Sequence, residues 1–320
     1  MARDIEVKLG ETRLERGDVL KDDCIIGRLY GTPGKPVIVI PGGISASRFV
    51  ADNEENGHGW WKDIVYRGGP IDLNRYQVLG LDLAPTGANV KNRVAITTHD
   101  QAKRIIPLLD HLGLTRIEAM IGMSYGGMVA LAFSELFPDR INKLLVLGAA
   151  HRPFPMGVAI RGIQRRIIEL AAKTGQAEDG LKLARELAMT TYRSAEEFSE
   201  RFNAEPIGDT NISFDVGEYL QACGRKYPGI MPVNRFLALS ESIDLHRIDP
   251  AKITAPTTLI ATRSDQLAPP HEMQAMADKL GGPCELITIE SIFGHDSFLK
   301  EIGVLSDILK DFTKGKRRAA

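Results

Sequence analysis

The stretch MIGMSYGGMV, residues 120–129, decides how the rest of the chain is read. It places a serine between two glycines, in the pattern G-x-S-x-G formed by Gly122, Met123, Ser124, Tyr125 and Gly126. Residues 117–123 have the apolar, β-rich character of a buried strand, and residues 126–137 that of a helix. A strand that turns directly into a helix forces its middle residue into strained backbone geometry. Flanking glycines relieve the crowding and leave the hydroxyl exposed. The same five-residue pattern also occurs as a small-residue packing turn. Its position between a strand and a helix favours a nucleophile.

Outward from this turn, short β-rich runs recur at 5–10, 24–31, 37–43, 76–83, 117–124, 143–150, 257–265 and 284–291. Several are apolar on both faces, as strands covered by helices on both sides are. Helix-like segments at 100–112, 126–137 and 271–280 fall between the later runs and close with LGL, FPD and LGG. The alternation predicts an α/β chain with a mostly parallel, eight-stranded sheet flanked by helices. It fails between Pro153 and Pro250, where the chain is almost all helix-like. An insert of that size is too long for a loop. We therefore expect a core formed by residues 1–152 and 251–320, with an inserted helical cap at 153–250 that has a small core of its own.

Bulk properties narrow the function. The 320 residues, 43% hydrophobic, suffice for a large core arranged as one big domain or two ordinary ones. Forty basic and 41 acidic residues give a net charge of -1, which offers no electrostatic case for nucleic acid or an anionic membrane as the main partner. A small molecule is the expected ligand. Cys24, Cys223 and Cys284 are far apart and odd in number, which speaks against a disulfide framework and fits a reducing cytoplasm. The charged start MARDIEVKLG lacks an apolar signal core, and no uninterrupted apolar run reaches membrane-spanning length. A soluble, unprocessed, cytoplasmic protein is expected. The basic ending TKGKRRAA reads as a solvated, frayed tail rather than a nucleic-acid arm.

A serine hydroxyl becomes a good nucleophile when a histidine takes its proton, and that histidine needs an acid to fix its tautomer. After a G-x-S-x-G turn the acid and then the histidine should each follow a late strand. Asp265 ends the run 257–265, and His295 lies in the loop IFGHDSF after the run 284–291. His151 and His246 are rival histidines; the first follows a strand end, the second lies in a helical stretch where a surface or cap role is the plain reading. Asp244 and Asp249 sit in the cap, and Asp296 adjoins the histidine too closely to reach its far nitrogen. The expected catalytic set is Ser124, Asp265 and His295. An oxyanion hole would use the amide of Tyr125 and one from the loop VIVIPGGISAS, from Ile44 or its neighbour Gly43. The glycines of that loop do not form G-x-G-x-x-G, so a dinucleotide is not indicated. No ligand-spaced His/Cys cluster suggests a metal.

Several longer phrases go further: GGISASRFV, the GWW at 59–61, GMSYGGMVAL, AAHRPFPMGVAIRGIQRRII, LARELAMTTYRSAEEFSERF, LSESIDLHRIDP and FGHDSFLKE. With these the chain resembles, nearly end to end, the homoserine O-acyltransferase family of the α/β-hydrolase fold. The phrases with TYRS and GHDSFL are more specific than the serine turn. The resemblance implies transfer of an acyl group from coenzyme A to the hydroxyl of homoserine in methionine biosynthesis. It implies acyl-CoA as co-substrate, no bound cofactor, and a homodimer formed through the cap helices. It assigns the substrate carboxylate to Arg185, in the LAR of the second cap helix, and the ammonium to Asp296. The GGISASRFV loop departs from the HALTG-like loop of acetyl-transferring members and, with SESIDLHR, is similar to the succinyl-transferring branch. A succinyl carboxylate calls for a cation; Arg48 is the expected one, with Arg193 as the alternative. Serine instead of homoserine as acceptor, acetyl instead of succinyl as acyl group, and an esterase or thioesterase on the same triad stay open. A non-catalytic receptor of this fold has no need of a complete triad.

Overall fold

Eight strands form the central sheet: β1 (Arg3–Arg13), β2 (Val19–Tyr30), β3 (Val37–Ile40), β4 (Gln77–Asp82), β5 (Ala119–Met123), β6 (Leu144–Leu147), β7 (Thr257–Thr262) and β8 (Cys284–Ile289). Their spatial order is β1-β2-β4-β3-β5-β6-β7-β8. Only β2 runs against its neighbours; every other pairing in the sheet is parallel. The computed structural model describes residues 2–53, 57–208 and 212–315. Each of the eight β-rich runs becomes a strand of this one sheet, and the basic ending beyond residue 315 lies outside the described residues.

The sheet sits where its composition requires. Strands β3 (VIVI), β5 (AMIGM), β6 (LLVL) and β7 (TTLIAT) are buried along their whole length, whereas β1 and β8, at the edges, are partly exposed. The helices are α1 (Thr98–His111), α2 (Tyr125–Leu136), α3 (Pro155–Ala172), α4 (Ala177–Tyr192), α5 (Ala195–Arg201), α6 (Asp215–Lys226), α7 (Val233–Leu245), α8 (Pro270–Ala277), α9 (Ser297–Lys300) and α10 (Ile302–Lys314). Because strand side chains alternate between faces, Val37 and Val39 of β3 join the core shared with α1 and α2. Ile38 and Ile40 join the opposite core, which α10 closes with Leu305, Ile308, Leu309 and Phe312. A buried bidentate pair, Arg104 to Asp23 at 2.8 Å for both bonds, ties α1 to the residues of β2.

Between β6 and β7 the chain forms α3 to α7 and a short ribbon pairing Pro206–Ile207 with Ser213–Phe214. The five helices follow the sequence reading, while the ribbon is too short to show a period. One expectation changes. The apolar residues of this insert, among them Ile168, Leu181, Tyr227, Met231 and Phe236, are continuous with the core beside α2 and do not form a separate one. An insert of about a hundred residues gains more by sharing an existing core than by closing a small one.

The parallel strands β3, β5, β6, β7 and β8 all end at the same edge of the sheet, and the loops that follow them converge there. No described helix is long and apolar enough to cross a membrane. The three cysteines are free thiols.

Candidate active site

Ser124 occupies the turn between β5 and α2 with φ 53° and ψ −124°, a conformation that L residues rarely adopt. Such strain costs about 1–3 kcal/mol and persists because its surroundings over-determine it. Here the Ser124 amide donates to Leu147 O of β6 at 2.9 Å, and the Met128 amide donates back to Ser124 O at 3.1 Å. The flanking glycines answer a steric demand. A Cβ on Gly122 would lie 2.5 Å from Gly126 O, and one on Gly126 would lie 2.0 Å from Pro41 O in the loop after β3. The turn can press against that loop only because Gly126 lacks a side chain, and the bare Gly122 leaves room for the first turn of α2.

The other two predicted groups arrive from β7 and β8. His295 Nε2 lies 2.8 Å from Ser124 Oγ, and its Nδ1 lies 2.7 Å from Asp265 Oδ2. Asp265 Oδ1 accepts the amides of Leu267 (2.8 Å) and Ala268 (3.0 Å), which fixes the carboxylate plane. Both residues are buried. The carboxylate therefore holds the proton on Nδ1 and leaves Nε2 free to accept from the serine hydroxyl. Burial works against a charged imidazole, but the Asp265 carboxylate outweighs it, and Asp296 adds to the effect. His295 is left above the ordinary histidine value.

The oxyanion candidates also border the serine. Tyr125 opens α2, so its amide is one of the first-turn donors with no carbonyl a turn back to accept it. Its phenol is a buried packing group bonded to Ser242 Oγ (2.8 Å), and burial pushes its pKa up to about 12. The loop after β3 runs alongside, since a Cβ on Gly43 would sit 3.8 Å from Ser124 Cβ.

Two adjoining cavities meet at Ile44, Ser124, Tyr192 and His295. One of them contains Arg185 and Asp296. The Arg185 guanidinium stands over the rings of Tyr192 (5.2 Å) and Tyr227 (4.7 Å) and pairs with no carboxylate among the described residues. Across the same cavity, Asp296 Oδ2 lies 3.0 Å from Arg193 Nε. Burial raises the Asp296 pKa, and the nearby cations Arg193, His295 and Arg185 offset that only in part.

Residues 35–301 match the α/β hydrolase fold family. The homoserine O-succinyltransferase of Xanthomonas campestris pv. campestris is 40% identical over 283 residues, covering 88% of this chain and 76% of that one. The homoserine O-acetyltransferase of Geotalea daltonii is 31% identical, covering 95% of each chain. The chain belongs to the homoserine O-acyltransferase family of α/β hydrolases. Crystal structures that share the fold include homoserine O-acetyltransferase from Bacillus anthracis (TM-score 0.90, 19% identity, all of both chains) and esterase E22 (TM-score 0.87, 20% identity, 98% of this chain and 100% of that one).

Within this family member the rival histidines lie elsewhere. His246 is fully buried at the end of α7, not at a surface; its Nδ1 lies 2.8 Å from Thr98 Oγ1 and its Nε2 3.1 Å from Ala150 O. Burial pushes its pKa down to about 3, so it packs as a neutral ring. His151 is buried as well and lines neither cavity. Arg48 requires a correction. Its guanidinium is held by Asp82 (2.5 Å) and Asp4 (3.0 Å), it stacks on Phe49 at 4.4 Å, and it lines neither cavity. The ends of β1 and β4 supply two carboxylates beside the loop, and a cation is drawn to them. Arg193 is likewise engaged, by Asp296 and by Glu197 at 3.7 Å.

Sequence reasoning missed further residues around the triad. Gly148, directly after β6, has φ 55°, and a Cβ there would lie 3.3 Å from both Asp265 Oδ2 and His295 Cε1. A glycine closing the run LLVLG was its only signal. Trp60, carried in the GWW phrase without a role, lines the cavity of Arg185.

Proposed function

We propose that this chain transfers an acyl group, succinyl in preference to acetyl, from acyl-CoA to the hydroxyl of L-homoserine in methionine biosynthesis. The observation that carries the reading is the pairing of a Ser124–His295–Asp265 relay with one cavity that offers an unpaired Arg185 and, across it, Asp296. An α-amino acid has the complementary charges, a carboxylate for Arg185 and an ammonium for Asp296. The 40% identity to a homoserine O-succinyltransferase supports the choice of acceptor and of acyl group.

In the first half-reaction His295 takes the Ser124 proton while Oγ attacks the thioester carbonyl. The tetrahedral oxyanion is held by the amides of Tyr125 and of Ile44 or Gly43. The C–S bond breaks, and the thiol leaves with the proton from His295. In the second, His295 takes the hydroxyl proton of homoserine, whose oxygen attacks the acyl-serine. The product ester forms and Ser124 regains its proton. Water is the competing acceptor. Ile44, Trp60, Tyr192, Phe298 and Leu299 give the acceptor cavity an apolar lining that disfavours it.

In this reading residues 153–250 act as a cap over a core made of 1–152 and 251–320. The enzyme needs no bound cofactor beyond its acyl-CoA co-substrate, acts on small molecules in the cytoplasm, and works as a homodimer. The exposed side chains of Met156, Leu170, Leu183 and Ile230 in the cap segment supply apolar surface for that dimer.

The test is free-thiol release from succinyl-CoA and acetyl-CoA, each with and without L-homoserine, and with L-serine as a second acceptor. The proposal predicts release that depends on homoserine and is faster with succinyl-CoA. Release indifferent to every amino acid would make the enzyme a hydrolase and remove Arg185 and Asp296 from substrate recognition.

A further inference from the structure

The second cavity at Ser124 holds a charge imbalance that acyl transfer as such does not use. Arg161, on α3, lines it and makes one hydrogen bond, from Nε to Asp244 Oδ1 at 2.6 Å. The other Asp244 oxygen is taken by Arg165 Nη2, also at 2.6 Å. One carboxylate thus serves two guanidiniums, and one positive charge is left over. Glu272 lines the same cavity, but Arg152 holds it through bonds of 2.9 and 3.1 Å. Both terminal nitrogens of Arg161 have no hydrogen-bond partner among the described residues, although the side chain is only 12% exposed. Three residues along α3, and so on the same helix face, is Gln164. It is 4% exposed, lines the cavity, and makes no hydrogen bond among the described residues. The Arg161 fork and the Gln164 amide thus leave N–H donors available in the lining of the cavity that holds Ser124.

We infer that Arg161 and Gln164 bind the distal carboxylate of a dicarboxylic monoacyl group carried on Ser124, and so select a succinyl-type donor over an uncharged one. The inference rests on the acyl-serine reading above. It also fills the role that Arg48 cannot. A planar guanidinium with two free N–H groups matches a carboxylate in bidentate geometry, and the Gln164 amide adds a neutral donor beside it. Meanwhile the other cavity, with Arg185 and Asp296, stays available to the amino acid, so the two half-reactions need not share a subsite.

The experiment is burst acylation of Ser124 by mono-p-nitrophenyl succinate and by p-nitrophenyl butyrate, an uncharged chain of the same length. Neither homoserine nor coenzyme A is needed, so a failure of the homoserine reading and a failure of this subsite are separately visible. Wild type should be acylated faster by the succinate ester. Arg161→Gln should lower the succinate-to-butyrate ratio of acylation rate constants at least tenfold, and Gln164→Leu should lower it by a smaller factor. Arg161→Lys, which keeps the charge without the planar fork, should fall between Arg161→Gln and wild type. Should Arg161→Gln fail to fold, Gln164→Leu carries the same comparison. A wild-type ratio near one, or a ratio unmoved by these substitutions, would overturn the assignment.

Discussion

Ser124, His295 and Asp265 are separated by up to 171 residues in the chain and stand within 2.8 Å contacts in the fold. Ser124→Ala removes the attacking oxygen, so kcat for thiol release should fall by about four orders of magnitude or more. Circular dichroism and thermal unfolding should be close to wild type. The imidazole must be neutral to accept the serine proton, and its pKa lies above the ordinary histidine value. Activity should therefore be lost on the acid side through a pKa above about 6.5. Asp296→Asn removes one of the anions that favour the imidazolium, so that limb should move to lower pH. The p-nitrophenyl acetate burst, which needs no amino acid, is the measurement. At this scale the sequence was legible where chemistry dictates residue order: serine, then acid, then histidine, each after a strand. It was not legible for Arg48, because the two carboxylates that hold that side chain come from β1 and β4, far away in the chain. Nor were Arg161 and Gln164 distinguishable in a helix that also carries Arg165 and Arg166.

Among the elements, the serine turn is the most constrained. A Cβ on Gly126 would meet backbone on the β3 loop, which cannot move without shifting the oxyanion candidates. Gly126→Ala should cost roughly 1–3 kcal/mol in urea unfolding, as overpacking does, and should lower acylation as well. The attachment of α1 to β2 is a second sensitive point. Arg104 and Asp23 are 3% and 2% exposed and bonded to each other through two 2.8 Å contacts. Asp23→Ala leaves the guanidinium buried without its partner, for an expected loss of about 3–5 kcal/mol. Chemical denaturation with activity assayed in parallel separates this stability effect from any catalytic one. The strands were readable because buried parallel strands are nearly continuous apolar runs. The short ribbon at 206–207 and 213–214 was not, since two residues cannot display a period.

For the whole molecule, the insert between β6 and β7 shares the core beside α2 and supplies Arg185, Tyr192 and Arg161 to the two cavities. Arg185→Ala should raise KM for homoserine at least tenfold while leaving acylation by p-nitrophenyl acetate near wild type, because the carboxylate contact belongs to the second half-reaction alone. Exposed apolar side chains cluster in the same segment, and replacing Leu170 and Leu183 with Lys should shift sedimentation toward the monomer if they line the proposed dimer. A hundred helix-like residues between two strands announced the insert in the sequence. Its fusion with the main core could not be read there, because periodicity says which face of a helix is apolar and not which neighbour covers it.

The central claim is a covalent acyl relay through Ser124 to an amino-acid hydroxyl. Intact-protein mass spectrometry after rapid mixing with succinyl-CoA tests it most directly, with peptide mapping to locate the adduct. One succinyl group on Ser124 should persist without an acceptor and be discharged on adding L-homoserine, with O-succinylhomoserine as product. An adduct lost to water at the same rate with or without homoserine, or turnover of homoserine in a Ser124→Ala variant, would contradict it.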